Sequence, residues 1–493
     1  SAYGLTAEVF PQRQMLPAAV AAFVALVPPF VALTSSVNND VGAAAAASLF
    51  LWVTVRMLRR SPSLWRWALV LLLAGACFAT KSTASLVAVA VLLVLGGGYL
   101  YRAMVAPKAR RWFCLGLVLL GLVFLVAAFT WGGQAAFWEG RERTSDPNRL
   151  ATDTLLGRSA LVLAAGDDRG PRVLFQELAP ASGRRLQGRI VTLGAWLRTV
   201  EGPDGPLVLS LADGSDLDWR QVQVGSDWQF HAFAAEVAPG APTVTFQVSL
   251  PASEGGHRVV LLDGLVLAEG DLVGSPPPKF DSVAATSGSW SGQTFENLLR
   301  NGSAEAVWPG LRAWIGEVKL FRYPVTFVFH SMWDLERTGW VYGPGLLMLA
   351  ESFWGRLGWN HLALPDLYFL PLLLLTLAGI AGAALALLRW FKQGGSSEPS
   401  RSHVLAILGA ALLVGWGGAV LRIHPVLATS GILWPVARYA VAVVAPTAML
   451  LVVGWATLVP RRWMGQTAWV GLLALIALDS VVLWTVVLPY YYG

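Results

Sequence analysis

The stretch "PPFVALTSSVNNDVGAAAAASLFLW", Pro28 to Trp52, leads from one apolar run into another with one carboxylate, Asp40, at the join. Each flanking run approaches the ~20 residues that carry an α-helix across a hydrocarbon core roughly 30 Å thick. A turn between two such helices falls at a membrane surface. Asp40 and its neighbours Asn38 and Asn39 are therefore expected at the edge of a bilayer, where an ionisable group is costly unless it is paired or faces a wet cavity.

Working outward, comparable runs lie near 16–36, 41–58, 66–80, 84–102, 112–131, 367–390, 403–421, 432–459 and 466–488. With 55% hydrophobic and only 13% charged residues, this pattern predicts a polytopic α-helical membrane protein of about nine spans. Both cysteines, Cys77 and Cys114, fall inside apolar runs and read as small packing residues rather than as a disulfide or a thiolate metal site. The chain opens with "SAYGLTAEVFPQRQMLP", without an initiator Met or a signal-peptide pattern, so further residues are expected before Ser1.

Charge divides the chain more sharply than its total of +6. Of 30 acidic residues, 26 lie between Gly133 and Asp366 with 19 Lys and Arg, giving that segment −7 and leaving +13 for the remainder. In the remainder, 14 of 17 cations occupy the N-terminal tail or the loops of one side, which the positive-inside rule makes cytoplasmic. The exceptions are Lys81, Arg422 and Arg438, which fall with Asp40 at the opposite membrane edge. The basic excess is thus explained by loops, and nucleic-acid binding has no support.

Between residues 133 and 275, runs of four to eight residues alternate apolar and polar and are punctuated by Gly, Pro, Asp and Ser. That spacing predicts an inserted all-β sandwich or jelly roll. His231 and His257 sit in or beside such runs without a second ligand at metal spacing and read as sheet residues. The resulting division is an N-terminal transmembrane part (1–132), an extracytoplasmic sandwich (133–275), a linker with interfacial amphipathic segments (276–366) and a C-terminal transmembrane part (367–493). In the third part, "FRYPVTFVFHSMWDLERTGWVYGPGLLMLAESFWGRLGW" mixes aromatics, Gly and charge as interfacial segments do.

The order "VLFQELAP", "VTLGAWLRT", "VGSDWQFHAFAAEV", "VTFQVSL" and "LLDGLVLAEG" resembles the jelly-roll carbohydrate-binding modules attached to glycoside hydrolases. "NLLRNGSAEAVW", Asn297 to Trp308, resembles the opening of such modules, although here it follows the sandwich and either begins a partial repeat or packs on it. The resemblance implies a sugar-stacking platform drawn from Trp196, Trp219 and Trp228, at least one of them belonging to the core.

The membrane part resembles the GT-C superfamily of polytopic glycosyltransferases, in "PPFVALTSSVNNDVGAAAAASLFLW", "LLAGACFATKSTASLVAVAVLL", "SFWGRLGWNHLALPDLYFL" and "WPVARYAVAVVAPTAMLL". This implies a polyprenyl-phosphate-linked sugar donor, with Lys81, Arg438, Tyr439, Arg422 and His424 as donor phosphate-binding residues. Asn38, Asn39, Glu351 and Arg356 become groove or acceptor residues, and Asp40 the candidate catalytic carboxylate, serving as base, electrostatic stabiliser or holder of a divalent cation such as Mg²⁺ or Mn²⁺. The superfamily's principal base lies in a first extracytoplasmic loop, expected upstream of Ser1.

Two function classes follow. One is a GT-C-like transferase of the bacterial cytoplasmic (inner) membrane that passes a sugar to an extracytoplasmic glycan or other acceptor gripped by the sandwich. The other is a non-catalytic structural or accessory subunit of a larger membrane complex, built on a GT-C-derived scaffold. A transporter fits less well, since no internal repeat is visible.

Overall fold

The computed structural model describes residues 1–35, 38–60, 63–104, 119, 122–123, 126–127, 129–140, 149–151, 153–165, 170–252, 257–273, 276–311, 319–320, 323–324, 330–357, 361–392, 399–423 and 436–492. They form two compact units, Ser1–Cys114 with Val341–Gly493, and Leu115–Trp340.

The first unit is helical. Its N-terminal half holds α1 (Ala2–Val9), α2 (Met15–Leu26), α3 (Pro28–Thr34), α4 (Asn39–Arg60), α5 (Leu64–Thr80) and α6 (Ser82–Met104). Six helical segments are long and apolar enough to cross a membrane, or seven if the bent pair α2 and α3 is one span. That is the number among the described residues, and part of the nine expected runs lies outside them. The pair bends by 66° where Val27 precedes Pro28 and Pro29, since a residue before proline leaves the helical region. The 17 residues of α5 would rise only about 26 Å, short of the hydrocarbon thickness. The expected span 112–131 lies mostly outside the described residues, and its end, 129–131, belongs to a β-strand.

Local signals set the helix ends. Asn38 caps α4 by accepting from the backbone N–H of Asp40 (2.8 Å) and Val41 (3.3 Å), and Ser63 does the same for α5 through Arg66 (3.4 Å). At the other end of α4, Arg60 reaches Glu8 of α1 at 3.3 Å. Cys77 is buried in α5, as expected of a packing residue; Cys114 lies outside the described residues.

The second unit is a β-sandwich. Its strands are β1 (Phe129–Ala135), β2 (Glu139–Gly140), β3 (Arg149–Ala151), β4 (Ala160–Ala165), β5 (Arg172–Glu177), β6 (Ile190–Glu201), β7 (Gly205–Ala212), β8 (Leu217–Val224), β9 (Gln229–Glu236), β10 (Thr245–Leu250), β11 (Arg258–Glu269), β12 (Lys279–Phe280), β13 (Ser287–Trp290), β14 (Gln293–Glu296) and β15 (Val307–Leu311). Two five-stranded antiparallel sheets, ordered β2-β5-β10-β7-β8 and β3-β4-β11-β6-β9, share one core. Alternate residues supply it, with Phe246 and Val248 from β10 and Leu207 and Leu209 from β7 meeting Leu193, Leu197 and Leu262 of the other sheet. The alternation of period two is why the sequence reads as strands.

β11 departs from that alternation: nearly every residue is buried. Its outer side is covered by the small sheet β12-β13-β14, where Trp290 packs with Val266 and Ala268 beside Phe230, Phe280 and Phe295. The segment expected to be a linker, 276–366, thus begins with structure that belongs to the sandwich, and β15 pairs back onto β1. "NLLRNGSAEAVW" is the fastening piece. The Asn297 amide donates to Leu265 O and Ala285 O and accepts from the N–H of Leu267 and Leu299. Asn301 donates to Ala136 O and Ala306 O and accepts from Ala306 N–H, while its own carbonyl accepts from Trp138 Nε1 at 2.9 Å. Buried amides with these bonds made are costly to disturb, which is why the motif packs on the sandwich.

Further along, in the stretch read as interfacial, the buried Asp334 and the exposed Glu336 join an ion network. Arg300 holds Asp334 through two bonds of 2.7 Å and reaches Glu336 at 3.2 Å, and Arg337 binds Glu139 at 2.5 Å and approaches Asp334 at 3.4 Å. A 20-residue helix, Leu335–Trp354, carries Glu336 and Arg337 and follows directly on Asp334; we call it α8, after α7 (Pro180–Leu186).

One turn of the sandwich yields a prediction. Asp213 is 4% exposed; it accepts from Ser215 N–H, Ser215 Oγ, Asp216 N–H and Ala238 N–H. Burial alone would raise its pKa, but those bonds outweigh it and bring the carboxyl down to about 2. A depressed folded value contributes stability above the unfolded value of 3.8 and loses it as pH falls toward 2. Asp213→Asn is expected to cost about 2 kcal/mol at neutral pH and to remove this acid-sensitive part, as read by denaturant unfolding of the full chain at pH steps across that window.

Candidate functional site

The remaining helices of the first unit are α9 (Phe369–Lys392), α10 (Pro399–Val420), α11 (Val444–Leu458), α12 (Met464–Val482) and α13 (Leu488–Tyr492), with a 3₁₀ segment, Ala437–Val443, leading into α11. Asp40 stands in the first turn of α4, where the helix dipole favours an anion. Lys81 occupies the break between α5 and α6, and Arg438 and Tyr439 lie on the 3₁₀ segment. These three separated places meet. One oxygen of Asp40 is bound by Lys81 Nζ and the other by Arg438 Nε. Asp40 is fully buried, whereas the side chains of Lys81 and Arg438 are 16% and 22% exposed. The Tyr439 ring lies beneath both Lys81, at 5.5 Å, and Arg422, at 3.6 Å.

Arg438 is also a wall of a cavity of about 560 Å³. Its other polar walls include Asn38, Ser352, Arg356 and Thr447. Apolar walls come from Phe30, Leu33, Val441 and Val444. Ser352 Oγ accepts from Ala437 N–H at 2.8 Å and so ties α8 to the start of the 3₁₀ segment. Glu351 stands just behind the wall, held by Arg356 at 2.6 Å. The size lies within the roughly 300–1,000 Å³ typical of small-molecule sites, and the walls suit an amphiphile with an anionic head.

The sequence candidates thus divide. Asn38, Arg438 and Arg356 line the cavity. Asp40, Lys81 and Tyr439 form the layer beside Arg438. Asn39 is exposed at the start of α4, and His424 lies outside the described residues. Ser352 and Thr447 were missed, because a lone hydroxyl in an apolar run carries no signal of its own. A divalent cation does not fit Asp40 here, since both its oxygens face cations, and among the described residues no group of three His, Cys, Asp or Glu is placed to hold a metal.

The sandwich has a second candidate surface on the outer face of the sheet β2-β5-β10-β7-β8. Cross-strand pairing sets Phe175 opposite Gln247, Gln247 opposite Ser210 and Ser210 opposite Trp219, giving one row across four strands. Trp219 is 61% exposed. Thr245, Ser249 and Gln221 share that face, because they alternate with the buried Phe246, Val248 and Val222. Of the other two tryptophans, Trp196 packs against Phe230 with ring centres 5.5 Å apart, and Trp228 is half-buried between β8 and β9. Phe175 and Gln247 were missed individually; the polar alternation in "TFQVSL" is the signal that could have found Gln247.

No family model matches the chain, and no curated protein matches it. Solved structures similar to part of it include carbohydrate-binding modules. The module TmCBM61, solved in complex with beta-1,4-galactotriose, is 14% identical over 28% of this chain and 92% of its own, with a TM-score of 0.23. The CBM22-1 xylan-binding domain of Paenibacillus barcinonensis Xyn10C is 14% identical over 28% of this chain and 88% of its own, TM-score 0.23. A Family 16 Carbohydrate Binding Module-2 is 15% identical over 24% and 84%, TM-score 0.20.

Proposed function

We propose that this chain is a GT-C-like integral membrane glycosyltransferase of the bacterial cytoplasmic membrane, moving a sugar from a polyprenyl-phosphate donor to an extracytoplasmic glycan. The observation that carries this reading is the cavity in which Arg438, braced by the buried Asp40, meets apolar walls. An isoprenoid phosphate has the matching chemistry: an anionic head for the guanidinium and a hydrocarbon tail for Phe30, Leu33 and Val444. In the transfer the bond from sugar to phosphate breaks, the acceptor hydroxyl forms the new glycosidic bond and gives up its proton to a base, and the phosphate leaves as a monoester with added negative charge. Arg438 is placed to stabilise that charge.

The sandwich would hold the acceptor on the row Phe175–Gln247–Ser210–Trp219, where aromatic faces stack on sugar rings and the amide bonds to hydroxyls. Trp219→Ala is expected to weaken binding of neutral cello-, xylo- or galacto-oligosaccharides by at least about tenfold without lowering the unfolding midpoint of the chain. Unchanged binding on an oligosaccharide array would remove the sandwich from acceptor recognition.

The complete burial of Asp40 favours a second reading, a non-catalytic accessory subunit that keeps the scaffold without turnover. Incubating the full chain in lipid nanodiscs with short-chain polyprenyl-phosphate sugars and an oligosaccharide acceptor separates the two. Transfer products by mass spectrometry support the enzyme; tight donor binding with no product supports the accessory role.

A further inference from the structure

We infer that Asp40 is a positioning residue: it orients Arg438 on the cavity wall as its counter-ion, while Lys81 on its other oxygen balances its charge so that the wall stays cationic. The inference rests on the anionic ligand of the proposed function and assigns the side chains that sort it.

The layering carries the argument. Asn38 and Arg438 face the cavity, and Asp40, with no exposed surface, lies beside them rather than on the wall. The cap bond from Asp40 N–H to Asn38 Oδ1, at 2.8 Å, belongs to the same turn that turns the Asp40 carboxylate onto Arg438, so a single helix start sets both wall residues. A buried Asp40 paired with Arg438 alone would be neutral, and that pair would offer an incoming anion no net charge. With Lys81 bound to the second oxygen, the three side chains keep one positive charge. The Tyr439 ring, with Lys81 at 5.5 Å and Arg422 at 3.6 Å over it, packs against this arrangement. Asp40 with both oxygens engaged has the geometry of a brace, and that of a proton acceptor would need one of them released.

Charge counting and positioning give opposite signs for one substitution. Asp40→Asn raises the local charge, so simple electrostatics predicts tighter anion binding; loss of orientation predicts weaker binding. Lys81→Met leaves the orientation but lets Asp40 quench Arg438, and also weakens binding. Asp40→Glu keeps the charge with one more methylene and restores part of what Asp40→Asn loses.

The test is binding of farnesyl monophosphate, with farnesol as the uncharged control, to the full chain in nanodiscs at fixed ionic strength, alongside thermal unfolding of each variant. The expected result is a wild-type preference for the phosphate that falls at least about tenfold in Asp40→Asn and in Lys81→Met and is partly recovered in Asp40→Glu, with farnesol binding unmoved. Equal or tighter phosphate binding by a folded Asp40→Asn overturns the inference and leaves the proposed function standing. Should Asp40→Asn not fold, an unchanged preference in Lys81→Met overturns it equally. A wild-type chain that does not distinguish farnesyl monophosphate from farnesol overturns the proposed function and this inference with it.

Discussion

Gly454→Leu is expected to prevent the helical unit from reaching its folded state. In α9 and α11 the two backbones touch: a Cβ placed on Gly454 would lie 1.8 Å from the Gly379 carbonyl oxygen, and one placed on Gly382 would lie 2.1 Å from the Gly454 carbonyl oxygen. Backbone cannot swing aside as a side-chain tip can, so the helices must part. Parting them also breaks the bond from Trp455 Nε1 to Leu375 O, 2.8 Å long, and unpacks Trp455 from Gly379. For apolar helices that meet within a bilayer no hydrophobic gain replaces such contact, because association there depends on close packing of small residues. Size-exclusion profiles and thermal unfolding in detergent read the outcome: aggregated or polydisperse Gly454→Leu, and a lowered midpoint already for Gly454→Ala. Gly409→Ala is the control, with open space around it, and is expected to be neutral or to stabilise by about 1 kcal/mol through helix propensity. A Gly454→Leu chain that is monodisperse with a wild-type midpoint would refute the packing argument.

Arg337→Ala is expected to destabilise the sandwich unit by about 3–5 kcal/mol, the usual cost of removing one partner from a buried ion network. Glu139 and Asp334 are 5% and 4% exposed; Glu139 relies on this guanidinium, whereas Asp334 keeps its two bonds from Arg300. Burial pushes the Glu139 carboxyl above its ordinary value of 4.5 even with Arg337 beside it. The sign of the pH dependence follows. A raised folded value means that the folded chain takes up a proton more readily than the unfolded one, and losing Arg337, which lowers it, raises it further; the deficit left by Arg337→Ala therefore shrinks as pH falls through the range above the wild-type value, where only the variant's Glu139 has taken up its proton. Glu139→Gln combined with Arg337→Met, which removes charge from both sides, is expected to recover a large part of the loss at neutral pH. Denaturant unfolding of the full chain at neutral and acidic pH measures all three, and equal deficits at both pH values would contradict the assigned role of Glu139.

Both predictions rest on contacts that no single segment announces. "LAGIAGAALA" displays its small residues, but not that Gly454, far along the chain, closes on them. Asp334 and Glu336 read as exposed charges within an interfacial segment, because nothing local to "HSMWDLER" shows that Arg300 and Glu139 lie against it. The boundary of the sandwich is hidden from local sequence for the same reason. The run 276–296 is rich in Ser, Gly and Thr and looks like a linker, yet Trp290 and Phe295 cover the outer side of β11.

The sequence by itself determined what depends on local chemistry. Apolar length predicted helices, alternation of period two predicted strands, and charge segregation separated the two parts. It also singled out Asp40, Lys81 and Arg438, because charge next to apolar sequence is costly and stands out wherever it occurs. Only the tertiary structure decided that these three meet on one carboxylate, that Arg438 alone among them lines the cavity, and that Trp219 rather than Trp196 stands exposed on its sheet. The reason is physical: periodicity and composition act within a few residues, whereas pairing across 398 positions, as between Asp40 and Arg438, is set by how helices pack and where their backbones come close enough to touch.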